Sequence, residues 1–435
     1  MSFPRKQESI WVYALAPRLG GDDGIIKAYC MQTDISPALL QQPHIAEADA
    51  ILRACVHCGF CNATCPTYQL LGNELDGPRG RIYLIKEMLE GQTSTAKTQL
   101  HLDRCLTCRA CETTCPSGVQ YGRLVDIGRQ IIEERAPRPL WQAIVRRALL
   151  AILPYPKRFG LLLGMGRIMR PLLPGVLQRK IPPARAPSPH PPGGLTLHTR
   201  RMLLLAGCVQ PLAAPDTNAA AARVLDKLGI TLLSAPKAGC CGALHQHLSD
   251  SDGAHTMMQR NIDAWWPHVE AGIEAIVITA SGCGLMVKEY GVVLQDDPLY
   301  ADKAAHISAL TRDLSEVLRD EKLDSFADTG KGVRVAYQSS CTLQHGQKLS
   351  GAVETVLQRC GYTLTPVTDS HLCCGAAGTY TLLQPVLSQR LLDNKMTALQ
   401  QGQPDLIATA NIGCQLHLEG VSKVPVKHWI ELLDA

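Results

Sequence analysis

One cysteine spacing occurs twice in this 435-residue chain, as CVHCGFCNATCP starting at Cys55 and as CLTCRACETTCP starting at Cys105. Each run reads Cys-x2-Cys-x2-Cys-x3-Cys-Pro. Three thiolates spaced this way on a tight loop can cap three irons of one cube. The fourth, turned away by the following Pro, reaches the neighbouring cube. Cys pairs also build zinc knuckles and disulfides, but two complete runs, each closed by Pro, favour paired [4Fe–4S] ligation. The pairing rule gives cluster one Cys55, Cys58, Cys61 and the crossed-over Cys115. Cluster two takes Cys105, Cys108, Cys111 and the crossed-over Cys65. Arg53, Arg79, Arg81, Arg104 and Arg109 surround the runs and read singly as solvated loop charges; His57 and Thr107 lie inside the loops without a ligand role. Such a chain carries electrons.

Length sets the number of cores. Single cores stop growing well short of 435 residues, so two or three domains are expected. A net charge of +4 is too small to argue for nucleic acid. Eighteen Cys, with no secretory-type apolar core near the N-terminus, point to a reducing compartment and metal ligation. No run of eighteen apolar residues is present. Residues 1–40 read as a leader, either disordered or an upstream translation start preceding Met31. Residues 41–137 read as helix, cluster loop, helix, cluster loop, helix, an α-helical ferredoxin module. Residues 138–200 hold short basic-apolar helices cut by Pro and then a Pro-rich linker. Packing against a partner or the cluster domain is preferred there to a membrane-surface role, because Pro interrupts the apolar face.

The remainder is a tandem repeat, residues 201–330 and 331–435. Cys208, Cys240, Cys241 and Cys283 recur as Cys341, Cys373, Cys374 and Cys414, at an offset of 133 that shortens to 131 for the last. LDKLGI from Leu225 and LQRCGY from Leu357 keep nearly the same register. In each copy apolar strands alternate with helices, which implies parallel βαβ units. The landmark cysteines then fall past strand carboxyl ends, where open α/β sheets place their sites. Each quartet is a candidate ligand set for an iron–sulfur or other metal centre, with thiol redox chemistry and inert packing as the alternatives. Cys360 reads as a packed, inert thiol.

These residues resemble the iron–sulfur subunit of bacterial glycolate oxidase (glycolate dehydrogenase). The likeness runs from about residue 50 onward and rests on the two runs, NIDAWWP, TASGCGLMVKEYG, DSHLCCGAAGTY and TANIGC. It implies a multidomain protein, an α-helical ferredoxin module followed by two duplicated CCG modules. It implies two [4Fe–4S] clusters here and FAD on a partner that oxidises glycolate to glyoxylate. A second flavoprotein-like subunit and a quinone or other respiratory acceptor complete the expected partners. The expected location is cytoplasmic or peripheral on the cytoplasmic side of the inner membrane. No dinucleotide fingerprint, P-loop or nucleophile elbow is evident, in keeping with substrate chemistry elsewhere and no catalytic residue in this chain. Subunits of lactate or glycerol-3-phosphate dehydrogenases, and heterodisulfide-reductase-like thiol enzymes, share parts of the pattern. Related modules often end in Cys-x-x-Cys; here Ala280 and Asn411 replace the first of that pair, and Ser339-Ser340 stands where Asp-Pro commonly precedes the Cys.

Overall fold

A computed structural model describes residues 30–178, 181–184 and 196–434. The expected leader over 1–29 and most of the Pro-rich linker lie outside them. The chain forms two compact units. One is the described part of Met1–Cys105 with Arg109–Ala136; the other is Leu106–Cys108 with Pro137–Ala435.

The first unit is helical. Helices α1 (Pro43–Arg53) and α2 (Pro78–Leu89) each open on Pro, whose missing N–H costs nothing in a first turn. Ile45, Ala48, Ile51 and Leu52 of α1, and Ile82, Ile85, Met88 and Leu89 of α2, are buried at three- and four-residue spacing. With α3 (Tyr121–Arg135) they enclose one core that also takes in Cys55, Cys105 and Cys111. The leader expected through residue 40 does not extend that far. Met31 is only 2% exposed and its N–H donates to Cys55 O at 2.9 Å, while Ile35 joins the same core. Apolar burial and a hydrogen bond to the first cluster loop tie residues 31–40 to the module.

In the second unit, α4 (Leu140–Ile152) buries no residue and α5 (Pro156–Met169) buries only Leu163. Two four-stranded parallel sheets follow. The first copy contributes β1 (Arg200–Leu204), α6 (Pro215–Lys227), β2 (Ile230–Ser234), α7 (Ser251–Glu270), β3 (Ala275–Ile278), α8 (Ser281–Lys288), β4 (Thr311–Asp313) and α9 (Leu314–Asp320). The second contributes β5 (Arg334–Gln338), α10 (Ala352–Arg359), β6 (Thr363–Leu364), α11 (Pro385–Gln400), β7 (Leu406–Thr409), α12 (Ile412–Glu419) and β8 (Val426–His428). Strand orders are β2-β1-β3-β4 and β6-β5-β7-β8, the same topology twice. Register pairs Leu203 with Leu233 and Ile276 in one sheet, and Val335 with Leu364 and Leu406 in the other. The edge strands β4 and β8 are three residues each, too short to show a period in sequence.

A single core of Val224, Leu225, Phe326, Val356, Leu357 and Trp429, among others, runs from one copy into the other. The packing is reciprocal. Helix α9 of copy one lies against α10 of copy two, and the 3-10 turn Trp429–Leu432 after β8 lies against α6 of copy one. Equivalent elements exchange equivalent contacts, the mark of a self-complementary interface. His428 fastens the junction. Its Nδ1 accepts from Ile430 N–H, so Nε2 carries the proton and donates to Thr279 O at 2.9 Å.

Candidate metal centres

Both cysteine runs adopt one loop geometry. His57 and Gly59 in the first, Thr107 and Arg109 in the second, have left-handed backbone, with φ of 56°, 80°, 51° and 59°. Successive residues in such conformations aim amide N–H groups into a concavity suited to an anionic cluster. Gly59 and Arg109 then cap the short helices Phe60–Ala63 and Ala110–Thr114, which carry the third Cys of each run. At Gly59 the missing side chain matters, because its φ of 80° lies in the left-handed region that a side chain strains.

Cys55, Cys58, Cys61 and Cys115 line one open cavity, together with Arg79, Ile82 and Tyr121. Cys111 also reaches its wall. Burial first, and then the neighbouring thiols Cys55, Cys115 and Cys58, push the Cys61 thiol up to about 11. Cys55 is raised by burial and by Cys115 and Cys58. Thiols crowded like this favour a centre whose irons take the place of their protons. Cys58 is exposed, beside exposed Val56 and Phe60.

The second run sits deeper. Cys105, Cys108 and Cys111 are buried, as is Cys65. Tyr121 Oη–H donates to Cys105 Sγ at 3.7 Å, and Arg129 donates to Cys105 O at 2.6 Å. Arg81, read from sequence as a solvated charge, is 1% exposed. It donates to His101 O at 2.7 Å and to Thr67 Oγ1, which lies 3.3 Å from Cys65 Sγ. Asp76, equally buried, binds Arg104 at 3.0 Å and His101 at 2.9 Å. A signal for this existed: Arg81 occupies the apolar stripe of α2, one turn before Ile85. Arg79 stays partly solvated, its side chain 36% exposed and paired with Glu74 at 2.6 Å.

In the repeat, β1 and β3 leave the sheet on opposite sides of the point where strand order reverses, the position where such sheets hold ligands. Cys208 follows β1, Cys240 and Cys241 follow β2, and Cys283 lies in the first turn of α8. Their sulfurs meet in pairs, Cys208 with Cys240, Cys240 with Cys241, and Cys241 with Cys283. Hydrogen bonds from Cys208 and Cys241 hold Cys240 well below the ordinary thiol value, while Cys208 and Cys241 are raised. The second copy repeats the row. Cys341 Sγ lies 3.8 Å from Cys373 Sγ, Cys373 meets Cys374, and Cys374 meets Cys414. Asn411, which replaces a fifth thiol, donates to Cys414 Sγ at 3.6 Å. Among the described residues no three His, Cys, Asp or Glu side chains are arranged around a single metal ion. A row of four sulfurs differs from the expected convergence on one point and suits a multinuclear centre better than a lone ion. Cys360 is fully buried in the shared core, as expected of a packed thiol.

Different side chains anchor the two Cys-Cys-Gly loops. In copy one, Asn261 accepts from Gly239 N–H and donates to Cys240 O, both at 2.8 Å, and Tyr290 Oη–H donates to Cys241 O at 2.8 Å. In copy two, Ser388 donates to Gly375 O at 2.9 Å, His345 Nε2 lies 2.9 Å from His371 O, and Lys395 Nζ donates to Asp369 O at 2.9 Å. Asn261, Ser388 and Lys395 lie inside long helices and gave no sequence signal for these roles.

Comparison with known proteins follows the same divisions. Residues 51–119 match the 4Fe-4S dicluster domain family, and residues 202–288 and 335–419 match the cysteine-rich domain family. The glycolate oxidase iron-sulfur subunit of Escherichia coli (strain K12) is 56% identical over 405 residues, 93% of this chain and 98% of that one. A probable glycolate oxidase iron-sulfur subunit of Bacillus subtilis (strain 168) is 32% identical over 87% of this chain and 92% of its own length. Lactate utilization protein A of Geobacillus kaustophilus (strain HTA426) is 25% identical over 54% of this chain and 99% of its own.

Proposed function

The chain belongs to the family of glycolate oxidase iron–sulfur subunits, and from that premise we propose that it is the electron-transfer subunit of a glycolate-oxidising complex. Cluster one is held by Cys55, Cys58, Cys61 and Cys115, and cluster two by Cys105, Cys108, Cys111 and Cys65. The [4Fe–4S] groups supply one-electron carriers. The chain's own residues position the thiolates, exclude water around the second run and offset negative charge through Arg79, Arg81 and Arg129. Glycolate oxidation takes place on an FAD-containing partner, assisted by a second flavoprotein-like subunit, with a quinone or other respiratory acceptor downstream. The assembly works in the cytoplasm or peripherally on the cytoplasmic face of the inner membrane. Functional divisions follow 41–137, extended back to Met31, for the cluster module, and 201–330 and 331–435 for the two repeats.

The observation that carries this reading is the single cavity shared by three cysteines of the first run and the crossed-over Cys115. Its test is the anaerobically purified complex assayed for glycolate-dependent dye reduction. Cys58→Ser or Cys108→Ser should each damage one cluster and slow turnover, with Cys360→Ala near wild type. Purified chain holding close to no iron would sink the proposal.

A further inference from the structure

Lys395 is a cation in an unusual place. It projects from the middle of α11, is 4% exposed, and donates only to two backbone carbonyls, Asp369 O at 2.9 Å and Ser370 O at 3.4 Å. No carboxylate among the described residues pairs with it. Burying an ammonium costs several kcal/mol unless an anion compensates it. The groups whose negative charge would do so are Cys374, Cys373, Cys341 and Cys414, all of which stabilise its charge against the burial that pulls its pKa down. Helix α11 is held against the thiol loop. Ser388 binds Gly375 O, and a Cβ at Gly375 would meet Leu391 Cβ at 2.9 Å. The ammonium is thus fixed relative to the sulfurs.

Copy one has no such device. The helix residue that matches Lys395 in burial pattern is Asn261, fully buried and neutral. Its cationic candidates differ in kind: His245 is engaged by Asp250 at 2.7 Å, and Arg260 lies beside the backbone of Gly239.

We propose that the second quartet, Cys341, Cys373, Cys374 and Cys414, seats an anionic iron–sulfur centre for which Lys395 is the buried counter-cation and positioning residue. The proposal rests on the iron–sulfur reading of the chain but concerns a centre separate from the two ferredoxin-type runs. One-electron reduction adds negative charge to such a centre, so a fixed cation beside it raises the reduction potential.

The test is an anaerobic potentiometric titration of the full chain followed by electron paramagnetic resonance. Signals of the two runs are assigned with Cys58→Ser and Cys108→Ser; their absence from wild type would count against the proposed function, not against this inference. A further signal should vanish in Cys374→Ser and survive in Cys241→Ser. Lys395→Gln keeps a donor for the two carbonyls and loses the charge, and it should move that signal alone to lower potential. Lys395→Arg should hold it near wild type, which a merely structural role for the side chain would not require. No Cys374-dependent signal, or an unmoved midpoint in Lys395→Gln, overturns the proposal. Where Lys395→Gln does not fold, bound iron and sulfide decide. Cys374→Ser contents equal to wild type overturn it, and contents below wild type support it.

Discussion

The two cysteine-rich copies share strand order, quartet placement and reciprocal packing, yet they line their thiol loops with different chemistry. Copy one fixes its loop with an amide and a phenol, Asn261 and Tyr290. Copy two uses a hydroxyl, an imidazole and an ammonium, Ser388, His345 and Lys395. Duplication therefore preserved the frame that brings four sulfurs to one sheet edge while the electrostatics around them diverged. The contrast separates what a βαβ scaffold needs from what a particular centre needs. Apolar helices and short strands serve the first, and buried polar groups the second.

The largest effects should come from the sulfurs. Cys374→Ser should slow glycolate-dependent turnover of the assembled complex by more than the roughly tenfold that losing even an outer-shell partner costs. Cys241→Ser should cost less. Equal losses in steady-state assays would show the copies to be functionally alike.

A second contrast lies at the ends of β4 and β8, where Asp313 and His428 cap the following turns at equivalent positions. Burial lifts the Asp313 carboxyl to about 6, with Glu316 adding to the rise and Lys288 opposing it. Its unfolded value is near 3.9. The folded state therefore binds the extra proton, and stability falls by up to about 3 kcal/mol as pH climbs from 4 to 6. Burial lowers His428 to about 4. Here the unfolded state binds the extra proton, so stability falls by up to about 3 kcal/mol as pH drops from 6.5 to 4. The two nearly cancel in wild type. Asp313→Asn should expose acid lability and His428→Gln should leave loss on the alkaline side, read as urea midpoints at pH 4.5 and 7. Parallel pH profiles for both variants would refute the opposition.

Smaller effects test the loop anchors. Asn261→Leu strands Gly239 N–H and Cys240 O and should cost about 2–3 kcal/mol in thermal unfolding. Tyr290→Phe removes the bond to Cys241 O and the one accepted from Asn261, and should cost about 1–2 kcal/mol. If Asn261→Leu proved as mild as Tyr290→Phe, the loop of copy one would not depend on the amide.

Much of this was readable in the sequence because it rests on spacing. The two runs and the offset of 133 repeat, and strands such as Ala275–Ile278 stand out as short, continuous apolar stretches. What escaped rests on single residues seen only in three dimensions. Arg81 is the exception, since its place in the apolar stripe of α2 already marked it as inward-facing. Lys395 and Asn261 stand in helices whose apolar neighbours dominate the pattern. Thr311–Asp313 and Val426–His428 are too brief to alternate, and only pairing to β3 and β7 makes them strands.

The exchange of terminal elements has a consequence for biosynthesis. Helix α6 of the first copy is sealed by the turn after β8, through Thr217 Oγ1 to Glu431 Oε1 at 2.6 Å, a separation of 214 residues, and through Arg223 to Asp434. Contacts this distant in sequence close late and slow folding. At roughly 5–20 residues per second on the ribosome, the apolar face of α6 waits about 10–40 s after its own synthesis for its cover. The first copy therefore stays an open half-domain while the next two hundred or so residues are made, and the turn after β8 acts as its latch.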